Sequence, residues 1–268
     1  MGQDAFLTGL SMPEGFRLLA FDEIDSTNDE ARRQIDSGTE SGLWIVARRQ
    51  SNGRGRRGRS WISPDGNLFA SLLLRPHVPL SQAAQMSFVA ALAVHDALSS
   101  LTGDAARFRL KWPNDVLLDG RKLAGILLES ASSGRPGARS PETNWVIIGL
   151  GVNSAGFPPD VEFPATSLKA ATGRDFTCQE VFGAVSLAMA HWLDHWRSAG
   201  FGHIRAEWKY RAAGVGEVIT VRLESETLSG HFQDLNERGE LILRLDAGEI
   251  QIVSAGDVFF PHGVDQGR

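Results

Sequence analysis

The chain is organised around the stretch Gly53-Arg54-Gly55-Arg56-Arg57-Gly58-Arg59, in which three glycines alternate with four arginines. Glycine lets a backbone pass close to a ligand and adopt positive φ angles. Arginine supplies a permanent charge and forked donors that match the oxygens of phosphate and carboxylate groups. With Arg48 and Arg49, six arginines fall within twelve residues of a chain whose net charge is −5. This composition predicts a loop that closes over an anion.

The same composition is compatible with two other interpretations, a solvated basic loop and a patch that binds nucleic acid. Glycine–arginine segments that bind RNA are usually long and repetitive. This stretch is short, occurs once, and is flanked by apolar segments at 43–47 and 66–74 that are predicted strands. These features favour a site for a small anionic molecule.

Length and composition indicate a globular protein of one large domain, or of one domain with a small appendage. Of its 268 residues, 42% are hydrophobic and 22% are charged, which is ordinary for such proteins. Cys178 is the only cysteine, so neither an intrachain disulfide nor a cysteine cluster for zinc can form. We expect Cys178 to be buried at the start of a helix and the protein to be cytoplasmic. The N-terminal residues lack the pattern of a signal peptide, and no apolar run is long enough to predict a membrane span.

Periodicity separates the first 213 residues into strands and helices. Apolar runs and alternation predict strands at 16–21, 43–47, 66–74, 107–112, 116–118, 121–129 and 145–150. Helical spacing predicts helices from about residue 26 to 36 and over 81–101, 178–199 and 201–212. Residues 131–143 are predicted to form a flexible surface loop, and residues 154–176 a proline-rich connection.

The start of the first predicted helix has two interpretations. Ser26 is followed three residues later by Asp29, which is a weak capping box. Ser26, Thr27 and Asn28 therefore either only cap this helix, or also bind an anion at its free N–H groups.

The lysines are few and unevenly placed. The chain has 23 arginines and four lysines, and two of these, Lys111 and Lys122, lie in one apolar region. Asp119-Gly120 between them is a strong signal for a two-residue hairpin. The hairpin brings Lys111, Lys122 and the intervening Asn114 and Asp115 close together, so these side chains are candidates for chemistry.

The character of the sequence changes at Gly214. Five short strands separated by turns are predicted between Glu217 and Phe260, which suggests a small β-barrel. We therefore predict two domains, residues 1–213 and residues 214–268.

A separate pair, His191 and His195, lies at i and i+4 on a predicted helix, a spacing that can chelate a metal. Because no third ligand lies near them in the sequence, packing is the favoured interpretation.

Four motifs can be compared together with known families. They are Ser26-Thr27-Asn28; Gln50 with Gly53–Arg59 and Trp61; Lys111-Trp112-Pro113-Asn114-Asp115 with Arg121-Lys122-Leu123-Ala124-Gly125; and Gly149-x-Gly151-x-Asn153. In this order and spacing the chain resembles the biotin–protein ligases, from about residue 20 to residue 260. It departs from the family at Ser51-Asn52, where Thr-Ala is common.

The resemblance implies an α+β fold, with a mixed-sheet catalytic domain of the biotin/lipoate ligase type and a small C-terminal SH3-like barrel. It implies a ligase that converts biotin and ATP, with Mg²⁺, into biotinyl-5′-adenylate and pyrophosphate. The biotinyl group then passes to one lysine of a biotin carboxyl carrier domain. Some members carry an N-terminal DNA-binding domain, but this chain enters its first predicted strand by about residue 16, so it resembles the monofunctional form. We expect no nucleic-acid or membrane partner, and a monomer or weak homodimer.

The resemblance also implies roles for individual residues. Biotin would contact Ser26, Thr27, Asn28, Gln50, Gly53, Arg54, Gly55, Arg56 and Lys122. ATP or the adenylate would contact Arg56, Arg57, Arg59, Trp61, Lys111, Asn114 and Asn153. The catalytic residues would be Lys111, Lys122, Asp115 and Arg54. Mg²⁺ would be held mainly by the ATP phosphates.

Two rival functions remain at this point. A lipoate or octanoate ligase of related fold usually lacks the glycine–arginine loop. A nucleic-acid-binding module would bind DNA in a salt-sensitive way, but the rest of the chain is acidic and no helix-turn-helix is predicted. Release of pyrophosphate from ATP in the presence of biotin or lipoate would distinguish the three. We also expect the loop at 51–60 to be mobile without ligand, because it has little apolar surface and much self-repulsion.

Overall fold

A seven-stranded mixed sheet forms the centre of the protein, in a computed structural model that describes residues 5–7, 9–133, 142–159 and 161–261. Its strands are β1 (Arg17–Ile24), β2 (Leu43–Gln50), β3 (Leu68–Leu74), β4 (Phe108–Lys111), β5 (Asp115–Leu118), β6 (Arg121–Ser133) and β7 (Glu142–Val152). They lie in the order β1-β2-β3-β7-β6-β5-β4. The pair β1 and β2 is parallel, and all other neighbours are antiparallel. The predicted mixed sheet is confirmed.

Helices cover both faces of this sheet. They are α1 (Thr27–Asp36), α2 (Leu80–Ala83), α3 (Met86–Thr102), α4 (Leu168–Thr172) and α5 (Cys178–Tyr210). The long helices α3 and α5 pack against each other and contribute to the main core on one face of the sheet. Helix α1 covers the other face through Ala31, which packs with Leu43, Ile45, Leu73 and Ile147. The face covered by α1 is the one on which its N-terminal residues reach the candidate site.

Helix α5 begins and breaks where the sequence predicts. Thr177 and Glu180 form a complete capping box at its start. Burial raises the pKa of Cys178, the first residue of the helix, to about 11, so this thiol is unreactive at neutral pH. Gly200 has φ 73° and ψ 179°, which interrupts the helix between the two predicted segments. No helix within the described residues is both long enough and apolar enough to cross a membrane.

Three local predictions were wrong. Residues 131–133 and 142–143 extend β6 and β7, because the ladder between these strands continues as far as the pair Ser133 and Glu142. The rest of the predicted surface loop, 134–141, lies outside the described residues. The predicted helix 81–101 is divided into α2 and α3. The proline-rich connection contains α4, which is capped by Ser167 and ends at Gly173 in the left-handed region.

The predicted hairpin at Asp119-Gly120 is confirmed. Both residues have positive φ angles, 50° and 72°, as a tight two-residue turn requires. Strand pairing places Lys111 opposite Asp115, and the turn between them contains a cis peptide bond at Trp112–Pro113. The candidate residues of this region are therefore held on paired strands or on the turn that joins them.

A second, antiparallel sheet follows the large one. Its strands are β8 (Val218–Arg222), β9 (Thr227–Leu235), β10 (Leu241–Leu245), β11 (Ile250–Val253) and β12 (Asp257–Phe259), in the order β11-β10-β9-β8-β12. The side chain of Trp112 donates a hydrogen bond to the carbonyl of Gly239 at 3.0 Å, which joins the two sheets. The predicted α+β fold class is confirmed, but among the described residues the five strands of the second sheet pair as an open series and not as the closed barrel that was predicted. The domain boundary at residues 213 and 214 stays a prediction.

Candidate active site

One cavity of about 250 Å³ collects most of the predicted site residues. It is bounded by the start of α1, the arginine loop, the β4–β5 turn, the ends of β6 and β7, and β12 of the second sheet. Its volume is close to the lower limit of about 300 Å³ for small-molecule sites. The cavity has a polar end, a glycine-lined floor and a cationic end.

Hydroxyl and amide groups line the polar end. The Gln50 Oε1 atom accepts hydrogen bonds from the Thr27 backbone N–H at 2.8 Å and from the Thr27 hydroxyl at 3.1 Å. The Ser71 hydroxyl lies 2.7 Å from Thr27 Oγ1 and 2.5 Å from Asn28 Oδ1. Ser26 caps α1 by accepting a hydrogen bond from the Asp29 N–H, so capping and site-lining occur together.

Ser71 was not predicted as a site residue; it is fully buried and supports the lining residues Thr27 and Asn28 from outside the cavity lining. The available signal was a hydroxyl within the apolar strand Leu68–Leu74, because a buried hydroxyl needs a polar partner. Asn28 Nδ2 is buried next to Ser71 without a hydrogen-bond partner in the described structure. A ligand with a carbonyl or similar acceptor could satisfy this donor.

Three glycines form the floor, and side chains of the protein use the space that they leave. A Cβ atom at Gly151 would lie 2.4 Å from Trp61 Cε2, and one at Gly125 would lie 3.0 Å from Trp61 Cζ3. A Cβ atom at Gly149 would lie 2.4 Å from Asn28 Oδ1. The close approach predicted from Gly-x-Gly is thus made by Asn28 and Trp61.

The cationic end contains both candidate lysines. The Lys122 Nζ atom lies 2.6 Å from Asp115 Oδ1, and the Lys111 Nζ atom lies 4.0 Å from Asp115 Oδ2. Burial lowers the pKa of Lys111 to about 8, against the opposing effect of the Asp115 charge. The Lys111 ammonium also lies 3.7 Å from the centroid of the Phe163 ring, a contact that sequence patterns did not indicate. One carboxylate therefore serves two ammonium groups, which leaves the cavity attractive to anions.

The arginine loop is fixed at several points. The Arg54 guanidinium makes two hydrogen bonds of 2.7 Å to Asp29 of α1. The Arg56 guanidinium donates to Asn114 Oδ1 at 3.2 Å and to the Gly256 carbonyl at 3.3 Å. Desolvation lowers the pKa of Arg56, and among the described residues no carboxylate is bound directly to it. Arg56 is therefore a charged group within the cavity that is ready to bind an anion.

Asp257 of β12 neutralises the second half of the loop. Arg59 Nη2 lies 2.9 Å from Asp257 Oδ1, and Arg57 Nη1 lies 3.4 Å from Oδ2. Burial alone would raise the pKa of Asp257, but the hydrogen bond from Arg59 and the neighbouring arginine charges hold it below its usual value. The self-repulsion expected of this loop is thus opposed by carboxylates, which no local sequence pattern indicated.

Three further predicted residues, of which Asn114 and Asn153 line the cavity and Gly53 lies beside it, hold the surrounding segments together. Asn153 Nδ2 donates to the Thr166 carbonyl at 3.1 Å, which fixes the segment that follows β7. Asn114 Nδ2 donates to the Ile126 carbonyl at 2.6 Å. Gly53 accepts a hydrogen bond from the Trp61 N–H at 2.9 Å at the base of the loop. These contacts connect the loop, the hairpin and the end of β7.

The histidine pair lies on α5, outside this cavity. The rings of His191 and His195 are 4.4 Å apart, and the ring of His203 stacks on His195 at 5.4 Å. Within the described residues, no group of three or more His, Cys, Asp or Glu side chains has the arrangement needed to hold a metal ion. Packing therefore remains the favoured interpretation of these histidines.

We expect Asp257→Asn to lower the thermal midpoint by a few degrees at pH 7, because charge-assisted hydrogen bonds contribute about 1–3 kcal/mol. A carboxyl group whose pKa is depressed in the folded state stabilises above its unfolded pKa, and this contribution is lost as pH falls through the folded pKa. The difference between wild type and variant should therefore shrink below about pH 4. Melting curves from pH 3 to 8 test this.

The matched control for Asp257 is Asp175→Asn, which removes an exposed carboxylate paired with Lys169. This change should alter the midpoint little at any pH. A difference between wild type and Asp257→Asn that persisted unchanged down to pH 3 would contradict the assignment.

Comparisons with family models match two parts of the chain. A model of the biotin/lipoate A/B protein ligase family matches residues 20–153. A model of the biotin protein ligase C-terminal domain matches residues 214–260. The two matches include the arginine loop, the lysine hairpin and the second sheet.

Curated proteins and solved structures give consistent similarities. The chain is 45% identical over 241 residues to a biotin–[acetyl-CoA-carboxylase] ligase of Paracoccus denitrificans, covering 88% of this chain and 97% of that protein. It is 32% identical to the bifunctional ligase/repressor BirA of Bacillus spizizenii, covering 90% of this chain and 73% of that protein. It matches a structure of biotin protein ligase from Aquifex aeolicus in complex with biotin and ATP, with a TM-score of 0.74 and 29% identity. That match covers 91% of this chain and 97% of the other.

Proposed function

This chain belongs to the biotin/lipoate A/B protein ligase family, and we propose that it activates biotin with ATP and transfers the biotinyl group to a lysine of a biotin carboxyl carrier domain. This proposal rests on one observation: a single cavity has a polar, uncharged end and a cationic end. Uncharged hydrogen-bonding groups line one end, and Arg56, Lys111 and Lys122 lie at the other. A ligand with a neutral polar head and a carboxylate tail matches this arrangement.

In the proposed binding mode, the head of biotin lies against Ser26, Thr27, Asn28 and Gln50, and the buried Ser71 holds Thr27 and Asn28 in place. Glycines of the loop, Gly53 and Gly55, form a wall beside it together with the Arg54 backbone. The biotin carboxylate would then reach Arg56 and Lys122. Burial of these cations strengthens their interaction with an incoming anion, because little water screens them.

In the first step, a biotin carboxylate oxygen attacks the α-phosphorus of ATP, and the bond from phosphorus to the leaving pyrophosphate oxygen breaks. Both reactants are anionic, so cations must offset their repulsion and the charge that develops at the phosphoryl group. Lys111 and Lys122 are proposed for this role. Arg57 and Arg59 would bind the phosphates by exchanging Asp257 for them, while Asn114 and Asn153 position the surrounding segments and Trp61 packs on the adenine.

In the second step, the acceptor lysine amine attacks the biotinyl carbonyl carbon, and AMP leaves with the bonding electrons. The mixed anhydride is already activated, so no nucleophile of the protein is needed. The amine must lose a proton and be oriented, and Asp115 is the carboxylate in the cavity proposed to assist. In the free protein Asp115 is paired with Lys122, so adenylate binding would have to loosen this pair.

Mg²⁺ is proposed to enter with ATP and to be held mainly by the triphosphate. The carboxylates within reach, Asp115, Asp257 and Glu162, are each paired with lysine or arginine, so the described residues do not form a dedicated magnesium site. When bound, the ion would neutralise phosphate charge. The roles of the residues above do not depend on its position.

For partners and location, we propose that the carrier domain is the macromolecular substrate and that the protein acts in the cytoplasm as a monomer or weak homodimer. We further propose that it binds neither a membrane nor a specific DNA sequence. The net charge of −5 opposes association with polyanionic nucleic acid outside the arginine loop.

The direct test supplies ATP with either biotin or lipoate and measures pyrophosphate release, followed by mass spectrometry of an added carrier domain. We expect pyrophosphate and a single biotinylated lysine with biotin, and neither product with lipoate. Activity with lipoate alone would replace the proposal with the lipoate ligase alternative. Inactivity with both acids would overturn the proposed function.

We expect kcat/KM for ATP to decline as pH rises above about 8, because Lys111 loses its charge near its lowered pKa. In Lys111→Arg this decline should disappear, since arginine keeps its charge. Unfolding does not account for the decline. In the unfolded chain Lys111 keeps its proton up to about pH 10.5, whereas in the folded protein it loses the proton near pH 8. This difference increases the free energy of unfolding as the pH rises above 8.

Initial rates at limiting ATP from pH 6.5 to 10, with melting curves at each pH, provide the measurement for Lys111. Lys169→Arg changes an exposed lysine outside the cavity and should leave the wild-type profile intact. A wild-type rate that stayed level up to pH 10 would argue against the role of Lys111.

A further inference from the structure

The arginine loop is held by different kinds of structure at its two ends. Arg54 contacts two rigid elements of the main sheet layer: Asp29 in the first turn of α1, and Glu129 on β6 at 3.5 Å. Arg56, Arg57 and Arg59 contact a turn residue and the second sheet instead. The first half of the loop is therefore anchored by a bidentate, charge-assisted pair, which is among the stronger polar contacts in proteins.

The geometry leaves little of the Arg54 guanidinium for a ligand. Two of its nitrogens each lie 2.7 Å from an oxygen of Asp29, and the side chains of Arg54 and Asp29 are only 30% and 22% exposed. The hydrogen bonds to Asp29 raise the pKa of Arg54. A role for Arg54 through its backbone and its anchor therefore fits better than a direct contact with substrate.

This anchor bears on the polar end of the cavity through Gly53. A Cβ atom at Gly53 would lie 3.0 Å from Gln50 Nε2, so the backbone there is packed against the Gln50 amide. The same amide accepts hydrogen bonds from Thr27 at the start of α1. A shift of the Gly53–Gly55 backbone would thus disturb the groups proposed to bind the head of biotin.

We propose that Asp29 is a positioning residue that fixes Gly53–Gly55 as a permanent wall of the biotin site, and that only residues 56–60 respond to ligand. The inference rests on the proposed function and refines it. The loop is then divided by the Asp29–Arg54 pair into a fixed half and a responsive half. Exchange of Asp257 for phosphate takes place in the responsive half, without release of the anchor.

The first test compares Asp29→Asn, Arg54→Gln and the double variant. Each single change should raise the KM for biotin about tenfold, the loss expected for one charge-assisted pair, with kcat near wild type. The double variant should be no worse than the more damaged single variant, because both remove one interaction. Asp29→Glu, which keeps the carboxylate, should recover much of the loss.

Glu30→Gln is the matched control, because Glu30 is the next residue on α1 and pairs with Arg33 on its exposed side. It should leave the KM for biotin unchanged. A wild-type KM in Asp29→Asn, a fall in kcat alone, or additive losses in the double variant would each overturn the proposal. Wild-type inactivity with biotin and ATP would instead count against the proposed function itself.

Hydrogen exchange gives a readout that does not depend on turnover. In the free wild-type protein, the Gly55 amide, which donates to the Arg59 carbonyl at 2.6 Å, should already be protected and should change little when biotin and ATP are added, whereas the amides of 56–60 should gain protection. In Asp29→Asn, the Gly55 amide should lose its protection in the free protein. Equal responses of both halves to ligand in the wild type would refute the division of the loop.

Discussion

Lys122→Ala is expected to lower the rate of biotinyl-adenylate formation by about a hundred- to a thousandfold, the range seen when one donor to a developing anion is removed. The Lys122 ammonium lies in the cavity, 2.6 Å from Asp115, and its side chain is 25% exposed. Its loss removes the cation proposed to contact both the carboxylate and the α-phosphate. It also leaves Asp115 with only the more distant Lys111, so an uncompensated negative charge faces two anionic substrates.

Single-turnover formation of adenylate from biotin and ATP measures this effect apart from transfer to the carrier. The thermal midpoint should fall by only a few degrees, because Asp115 keeps a partner in Lys111. Lys169→Ala removes an exposed lysine and should leave the rate at the wild-type value. Unimpaired adenylate formation in Lys122→Ala would refute the assignment. A collapse of the thermal midpoint would indicate a structural role instead.

Gly151→Ala is expected to reduce adenylate formation about a hundredfold, since misplacement of a site by about 1 Å can cost that much. A Cβ atom at Gly151 would lie 2.4–2.7 Å from three atoms of the Trp61 indole, closer than such contacts allow. Trp61 must therefore leave the floor of the cavity. Because Trp61 follows the arginine loop directly and bonds to Gly53, the displacement would reach the loop as well.

Two comparisons isolate the role of Trp61. Gly125→Ala, with a closest distance of 3.0 Å to the same ring, should be less damaging than Gly151→Ala. Gly202→Ala on α5 meets no atom within 4 Å and should be neutral. In a Trp61→Ala background, Gly151→Ala should add no further loss. Additive losses in the double variant would instead indicate that the reaction depends on the Gly151 backbone itself and not on the position of the Trp61 indole.

Much of the site could be predicted because its residues are close together in the sequence. The lysine hairpin follows from Asp119-Gly120, whose positive φ angles reverse the chain and bring Lys122 toward Asp115. The start of α1 follows from the capping preference of Ser26. The glycine–arginine composition correctly indicated a loop beside a cavity lined by cations, and the binding of an anion there stays a prediction.

The partners of the arginines could not be predicted, because they are remote in the sequence. Asp257 is 198 residues from Arg59, and no local pattern distinguishes it from other surface aspartates of the C-terminal segment. The sequence predicts that Asp29 takes part in a capping box at the start of α1, but in the structure its carboxylate accepts hydrogen bonds from Arg54. The glycines were correctly associated with close approach, but only the packed structure identifies the indole of Trp61 as the group that approaches.

The hydrogen bond from the Trp112 indole to the Gly239 carbonyl lies where the two sheets are in contact. The ring of Phe88 on α3 packs at the same turn, and one continuous apolar cluster includes Trp208 of α5 together with Phe232 and Leu241 of the second sheet. Each segment therefore shields apolar side chains of the other from water. We therefore expect the two segments recognised by separate family models to unfold as one cooperative unit on heating, because separating them would expose apolar surface on both sides. On this expectation, the smaller sheet stabilises the larger one, and replacing it with an unrelated domain should lower the stability of the whole chain.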